Sequence, residues 1–222
     1  MLYGTNVFIG WENYIKLFEN DKLFWKTLGN TFRFSILLVP LNLVLSFLLA
    51  LYLGEQKFGS RYIRTVIFLP VVTSGVAWAI VWKYLLQSGT AGPINYFLSK
   101  IGIRGPNWLT DKNWAMISVV INRVLKNLGT NVLIFLGAVM NMPKDVIEAA
   151  RMDGADEWTV IRKIKLPLLM PTVLMVAIVT MIGSMRVFDT IRLMTDGGPE
   201  GSTMVKNGIK FTRANCSSEN LE

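Results

Sequence analysis

The chain has 222 residues, 52% hydrophobic and 17% charged, with mean hydropathy +0.41 and formal net charge +8. That charged fraction falls below the ~25% of soluble domains, and no Lys/Arg stripe is interleaved with aromatics, so the composition reads as a membrane protein with basic loops rather than a nucleic-acid binder. One cysteine, Cys216, and no histidine exclude an intrachain disulfide framework, a Cys/His zinc site and any catalytic triad that needs histidine.

The start, MLYGTNVFIGWENY, has no basic segment followed by an apolar one, so no signal peptide is expected. Trp11, Tyr14, Ile15, Leu17 and Phe18 fit one apolar face of a short helix, with Glu12, Lys16 and Glu19 opposite. That pattern suits a membrane surface and an ordinary packed helix equally. Phe34 to Gly54 carries no charge and is long enough to cross ~30 Å of hydrocarbon, which predicts a first span over 34–54. Pro40 inside it is tolerated where neighbouring helices satisfy the freed backbone.

After the basic loop EQKFGSRYIR, Thr65 to Trp82 is again uncharged and predicts a second span over 65–86. It closes on Trp78, Trp82 and Tyr84, residues suited to a membrane interface. Pro70 and Gly75 make this helix irregular. Residues 88–113 form a Gly- and Pro-punctuated loop in which INYFLSKIGI predicts a short amphipathic helix.

The third predicted span, 114–139, is apolar at both ends but carries Asn122, Arg123, Lys126 and Asn127 in its middle. An intramembrane charge is costly unless it faces a cavity or a partner. This helix is therefore expected to line something wet, the alternative being a split into two halves near Gly129. A fourth span is predicted over 168–188, with Pro171 in its first turn. RVFDTIRLMTDGGPEGST then reads as a turn-rich exit, and residues 207–222 as a polar tail that cannot form another span.

The four spans alternate sides, so the 55–64 and 140–167 loops share one side. Together they hold eight cations (Lys57, Arg61, Arg64, Lys144, Arg151, Lys163, Arg162, Lys165), against three in 88–113 (Lys100, Arg104, Lys112) and three in 1–31 (Lys16, Lys22, Lys26). The positive-inside rule puts 140–167 in the cytoplasm of a multi-pass membrane protein. Within that loop Pro143 fits the first turn of a helix, Asp145 and Glu148 suit its dipole, and Gly154 ends it. A second helix from about Asp156 carries Trp158, Ile161 and Ile164, and Pro167 and Pro171 mark the return to the bilayer. The expected result is a helix–turn–helix along the membrane surface.

Glu148-Ala149-Ala150, three residues, Gly154, nine residues, Ile164, one residue, Leu166-Pro167 resembles the EAA signature of permease subunits of bacterial ABC importers. GWENYIKLF (10–18), NTFRF (30–34), RYIRTVIFLP (61–70), KNLGTNVLIFLGAVMNMP (126–143) and RVFDTIRLMTDGGPEGST (186–203) look like the branch that imports sugars, related polyols or glycerol phosphates. The likeness covers roughly residues 8–205. The family usually carries Trp where this chain has Leu125, and Arg123 is a further departure.

The resemblance implies an all-α transmembrane, ABC importer permease-like helix bundle, with about four spans of the usual six and a cytoplasmic coupling helix. Residues 1–206 form the permease domain, the 207–222 tail lies outside the family pattern, and the chain looks truncated at both ends. Glu148, Ala149, Ala150 and Gly154 would dock on a separate cytoplasmic ABC ATPase dimer, with Ile164, Leu166 and Pro167 packing the loop and turning it back into the bilayer. A second permease subunit and an extracytoplasmic solute-binding protein are the other implied partners, in a bacterial inner membrane. No P-loop GxxxxGK[ST] is present, so the chain is expected to hydrolyse no ATP itself and to need no cofactor or metal.

Polar groups within the spans (Asn42, Ser46, Thr73, Ser74, Asn122, Arg123, Asn131, Thr180, Ser184) are candidates for a substrate path, with Asn122, Arg123, Asn131 and Ser184 put forward for it. For each alone, helix–helix hydrogen bonding is the competing role. Arg186 and Asp189 have the spacing of a pair on one helix face. The rival functional readings are a membrane interaction or assembly protein that transports nothing, a truncated permease without function, and an ion-coupled transporter. The last would want an intramembrane carboxylate, which the uncharged span cores lack.

Overall fold

A computed structural model describes residues 11, 15, 18–19, 22–55, 59–199 and 202–204. The expected surface helix near 10–18 falls mostly, and the 207–222 tail wholly, outside them.

The first helix, α1, runs Lys22–Gly54, so it starts well before Phe34. Its 33 residues make a rod of ~50 Å at 1.5 Å per residue, more than the ~30 Å of hydrocarbon. The expected second span is two helices, α2 (Ser60–Val72) and α3 (Gly75–Leu85), bent by 108°. Thr73 and Ser74 both take extended ψ angles (147° and 139°), which ends one hydrogen-bonded ladder and starts another. The short amphipathic helix appears as α4 (Pro93–Lys100). Buried Asn95 pins the surrounding loop: its Oδ1 accepts from Trp108 Nε1 at 2.7 Å, and its Nδ2 donates to the carbonyls of Gln87 and Pro106.

Helix α5 spans Lys112–Met140, capped by Asp111, whose carboxylate accepts from the Asn113 N–H at 2.8 Å. It passes through Gly129 unbroken, so the split alternative does not apply. Helix α6 (Lys144–Met152) leads by a tight turn to α7, which runs Glu157–Met185 with one π turn at Ile161–Lys165. The second helix of the expected surface hairpin is thus the foot of the last long helix rather than a separate element. The stretch expected to be a turn-rich exit contains α8 (Phe188–Thr195), because Val187, Ile191 and Met194 share one face and are buried.

Helices α1 and α5 run parallel: Phe34 and Leu38 pack with Val119 and Val124 at one end, and Ala50 and Leu53 with Val132 and Phe135 at the other. Helix α7 closes the bundle through Val176 and Leu169. Large apolar residues such as Ile36, Val44, Val66, Leu174 and Ile178 face outward, as lipid contact requires. Among the described residues three helices are long and apolar enough to cross a membrane, or four if α2 and α3 count as one span.

Candidate coupling face and polar core

Helix α6 ends in a Schellman turn. The Ala155 N–H donates to the Ala150 carbonyl at 3.0 Å and the Gly154 N–H to Arg151 at 3.1 Å. Gly154 takes φ +81° with open space where a Cβ would stand, so backbone conformation rather than crowding demands glycine here. Ile147 packs against Leu51, Met142 and Leu169, while Val146, Glu148, Ala149 and Met152 are exposed. Met152 is 88% exposed and Trp158 66%, large apolar surface for two residues in a basic loop. Ala150 is half-buried, Ile164 half-buried, and Leu166 and Pro167 exposed at the start of the apolar part of α7.

Charge adds a second tie between the hairpin and the bundle, beside the packing of Ile147. Buried Lys165, in the π turn, donates to Glu157 Oε1 at 2.8 Å and to Glu55 Oε1, just past α1, at 3.4 Å. Arg151 Nη2 on α6 meets Glu157 Oε2 at 2.9 Å. One chain of contacts therefore joins α6, the foot of α7 and the inner end of α1. The Lys165 ammonium, and then the Arg151 guanidinium, hold the Glu157 carboxyl below the usual carboxylate range. A cleft of about 270 Å³ opens beside it, with Leu51, Gly54, Ile147, Glu148 and Lys165 on its walls.

The polar candidates inside the bundle fall into two groups. In the first, Asn131 Nδ2 on α5 donates to Asn42 Oδ1 on α1 at 2.6 Å and to Thr180 Oγ1 on α7 at 3.1 Å. Ser46 donates to the Asn42 carbonyl, and Ser184 shares a 2.7 Å bond with Ser35. Asn131 and Ser184 are thus buried and engaged between helices.

The second group gathers at the α2–α3 break. Lys126 Nζ donates to the carbonyls of Pro70 and Thr73 and to Thr73 Oγ1, capping the C-terminal end of α2. One turn further along α5, Gly129 lets the two backbones touch: a Cβ there would lie 2.5 Å from the Ile67 carbonyl oxygen. Trp78 Nε1 on α3 donates to the Asn122 carbonyl at 3.3 Å, and the Lys126 ammonium stands 6.0 Å from the Trp78 ring. Asn122 Nδ2 and Arg123 Nε are buried donors without a hydrogen-bond partner among the described residues.

Sequence reasoning missed the Glu55–Lys165–Glu157–Arg151 network and the capping role of Lys126. A lysine three residues before a glycine, opposite a Pro/Gly-interrupted span, was the available signal for the second. Nothing local signalled the first.

The arrangement defines a multi-pass α-helical membrane permease component with a polar interior and an exposed cytoplasmic helix. Residues 34–213 match the family described as binding-protein-dependent transport system inner membrane component, and the chain belongs to that family. It is 35% identical over 202 residues to the lactose transport system permease protein LacF of Rhizobium radiobacter, covering 89% of this chain and 67% of that one. It is 33% identical over 208 residues to the trehalose/maltose transport system permease protein MalF of Thermococcus litoralis, covering 94% and 70%. The solved structure of a bacterial ABC transporter involved in the import of the acidic polysaccharide alginate is similar over 96% of this chain and 75% of that one, with a TM-score of 0.84 and 26% identity. The chain thus spans about two thirds of the length of these curated relatives.

Proposed function

We propose that the chain is a permease subunit of an ATP-driven carbohydrate importer, coupled to a separate ATPase dimer through α6 and working with a second permease and an extracytoplasmic solute-binding protein. The observation that carries this reading is the exposed α6 surface, joined to two long helices by the packing of Ile147 and by the Arg151–Glu157–Lys165–Glu55 contacts. Glu148, Ala149 and Ala150 offer a small, smooth face with one charge, and Gly154 sets the turn that presents it. Ile164, Leu166 and Pro167 carry the chain from that turn into the bilayer. Movement of a docked ATPase would pass through Arg151, Glu157 and Lys165 to α1 and α7. That is a two-state element biased by a distant ligand.

Carbohydrate as the substrate class is supported by relatives named for lactose and for trehalose/maltose transport. The donors of Asn122 and Arg123, unpartnered beside the α2–α3 break, are assigned to the solute path. A polyhydroxylated solute supplies the acceptors they lack. Asn131 and Ser184 are assigned to the seam between helices.

Reconstitution with the ATPase, the second permease and a binding protein tests the reading. Glu148→Lys and Gly154→Asp are expected to release the ATPase or abolish transport while leaving membrane insertion intact. Wild-type ATPase association and transport in both variants would sink the assignment.

A further inference from the structure

The short helix α4 (Pro93–Lys100) lies on the side of the membrane opposite the coupling hairpin, and coupling to an ATPase makes no use of it. Helical spacing puts Ile94, Phe97, Leu98 and Ile101 on one apolar stripe. One edge of that stripe is covered: Ile94 packs on the buried cluster of Ala79, Leu86 and Met194. The other edge is bare. Phe97 is 67% exposed and Ile101 74%, and Ile103, just past the Schellman turn that closes the helix, is exposed as well.

The helix is fastened at a defined depth. Asn95 Oδ1 accepts from Trp108 Nε1 at 2.7 Å, and the Trp108 carbonyl accepts from Ser118 Oγ on α5 at 2.9 Å. Gly105 lets the returning chain lie against α4, because a Cβ there would overlap Asn95 Oδ1. Ser118 stands ~9 Å inside the outer end of α5 at 1.5 Å per residue. The whole of α5 is ~43 Å long, which matches the ~40–45 Å of a hydrocarbon core with its two headgroup layers. Trp108, and α4 bonded to it, therefore sit beside the first two turns of α5, at headgroup depth. The same end of the bundle holds the aromatics suited to that depth: Tyr84 and Trp114 are exposed, and Trp114 meets Trp108 edge-on at 5.1 Å.

That depth says what covers the bare edge. An amphipathic helix held in the headgroup layer lays its apolar residues on lipid, with basic and aromatic residues around them. The composition agrees, since residues 87–110 contain no carboxylate and Lys100 stands 5.3 Å from the Tyr96 ring. We propose that α4 is an interfacial anchor whose Phe97 and Ile101 insert into the outer leaflet of the membrane. Ile94 packs on the cluster that includes Ala79 of α3, and Asn95 reaches Trp108 at the head of α5. The anchor thus gives the bent α2–α3 pair a fixed support at its outer end.

Nitroxide labels on the full chain, carrying Cys216→Ser and placed in nanodiscs of phosphatidylethanolamine and phosphatidylglycerol, test this. Power saturation with oxygen and with a water-soluble nickel chelate reads the depth of each label without reference to transport, so failure leaves the permease reading untouched. Labels at Phe97 and at Ile101 are expected about 5–10 Å below the headgroup surface, the depth of an interfacial helix, and a label at Ser99 nearer the water. Ile101→Asp is expected to move the Phe97 label toward the water, whereas Ile101→Leu leaves it in place, which separates lost apolar contact from lost fold. Labels at Phe97 and Ile101 as open to nickel as the one at Ser99 overturn the proposal. So does a Phe97 label that keeps its depth in Ile101→Asp. Protection from nickel that arises only when a solute-binding protein is added also overturns it, since that makes the bare edge a protein contact.

Discussion

Gly129 and Gly137 lie two turns apart on α5, yet a methyl group would meet opposite surroundings at the two positions. At Gly129 it would press on the Ile67 carbonyl at 2.5 Å and on Val71 at 2.6 Å, and at Gly137 it meets nothing within 4 Å. Gly129→Ala must push α2 away, at ~1–3 kcal/mol, the usual range for overpacking. Gly137→Ala is expected to be neutral or to gain up to ~1 kcal/mol of helix propensity. Thermal unfolding of the two variants in detergent checks this, and equal effects would remove the close-approach account. Only one such glycine role was legible in the sequence. Gly154 follows a helix pattern and needs only its own φ, so a local reading finds it. The demand at Gly129 comes from α2, some sixty residues earlier, which no local pattern reports.

The break between α2 and α3 decides how the polar core is built. Two extended ψ angles at Thr73 and Ser74 turn a predicted span through 108°, leaving the last carbonyls of α2 without helical partners. In hydrocarbon such groups must be satisfied within the protein. Lys126 supplies that, and in return gains acceptors for a charge otherwise stranded in mid-membrane. Lys126→Met, similar in length but without a donor, is expected to free the break at ~1.5–3 kcal/mol, the range for hydrogen bonds to a charged group. Spin labels at Val66 and Ile80, both exposed, should then give a broadened distance distribution. A distribution as narrow as that of the wild type contradicts the capping role. Charges in the middle of the third span announced that something faced them. Pro70 and Gly75 announced irregularity, but sequence alone gave no angle. The same limit applies to α8, whose burial of Val187, Ile191 and Met194 depends on neighbours from α1, α3 and α5.

Across the whole molecule, the all-α bundle, the basic cytoplasmic loops and the exposed cytoplasmic hairpin were readable because each follows from hydropathy, charge bias or short-range spacing. The tie between hairpin and bundle was not. Lys165 and Glu55 are 110 positions apart, and the π turn that holds Lys165 leaves no mark in a hydrophobic pattern. That tie carries the central claim, because docking on α6 does nothing to the spans unless α6 moves them. The most direct measurement is ATP hydrolysis stimulated by substrate-loaded binding protein in proteoliposomes containing Lys165→Met, with Lys165→Arg as the charge-preserving comparison. The docking face is untouched by the change, so the ATPase should still co-purify. Stimulation should fall by at least about fivefold, the lower end of typical coupling between sites, and return in Lys165→Arg. Full stimulation in Lys165→Met would contradict transmission through this network.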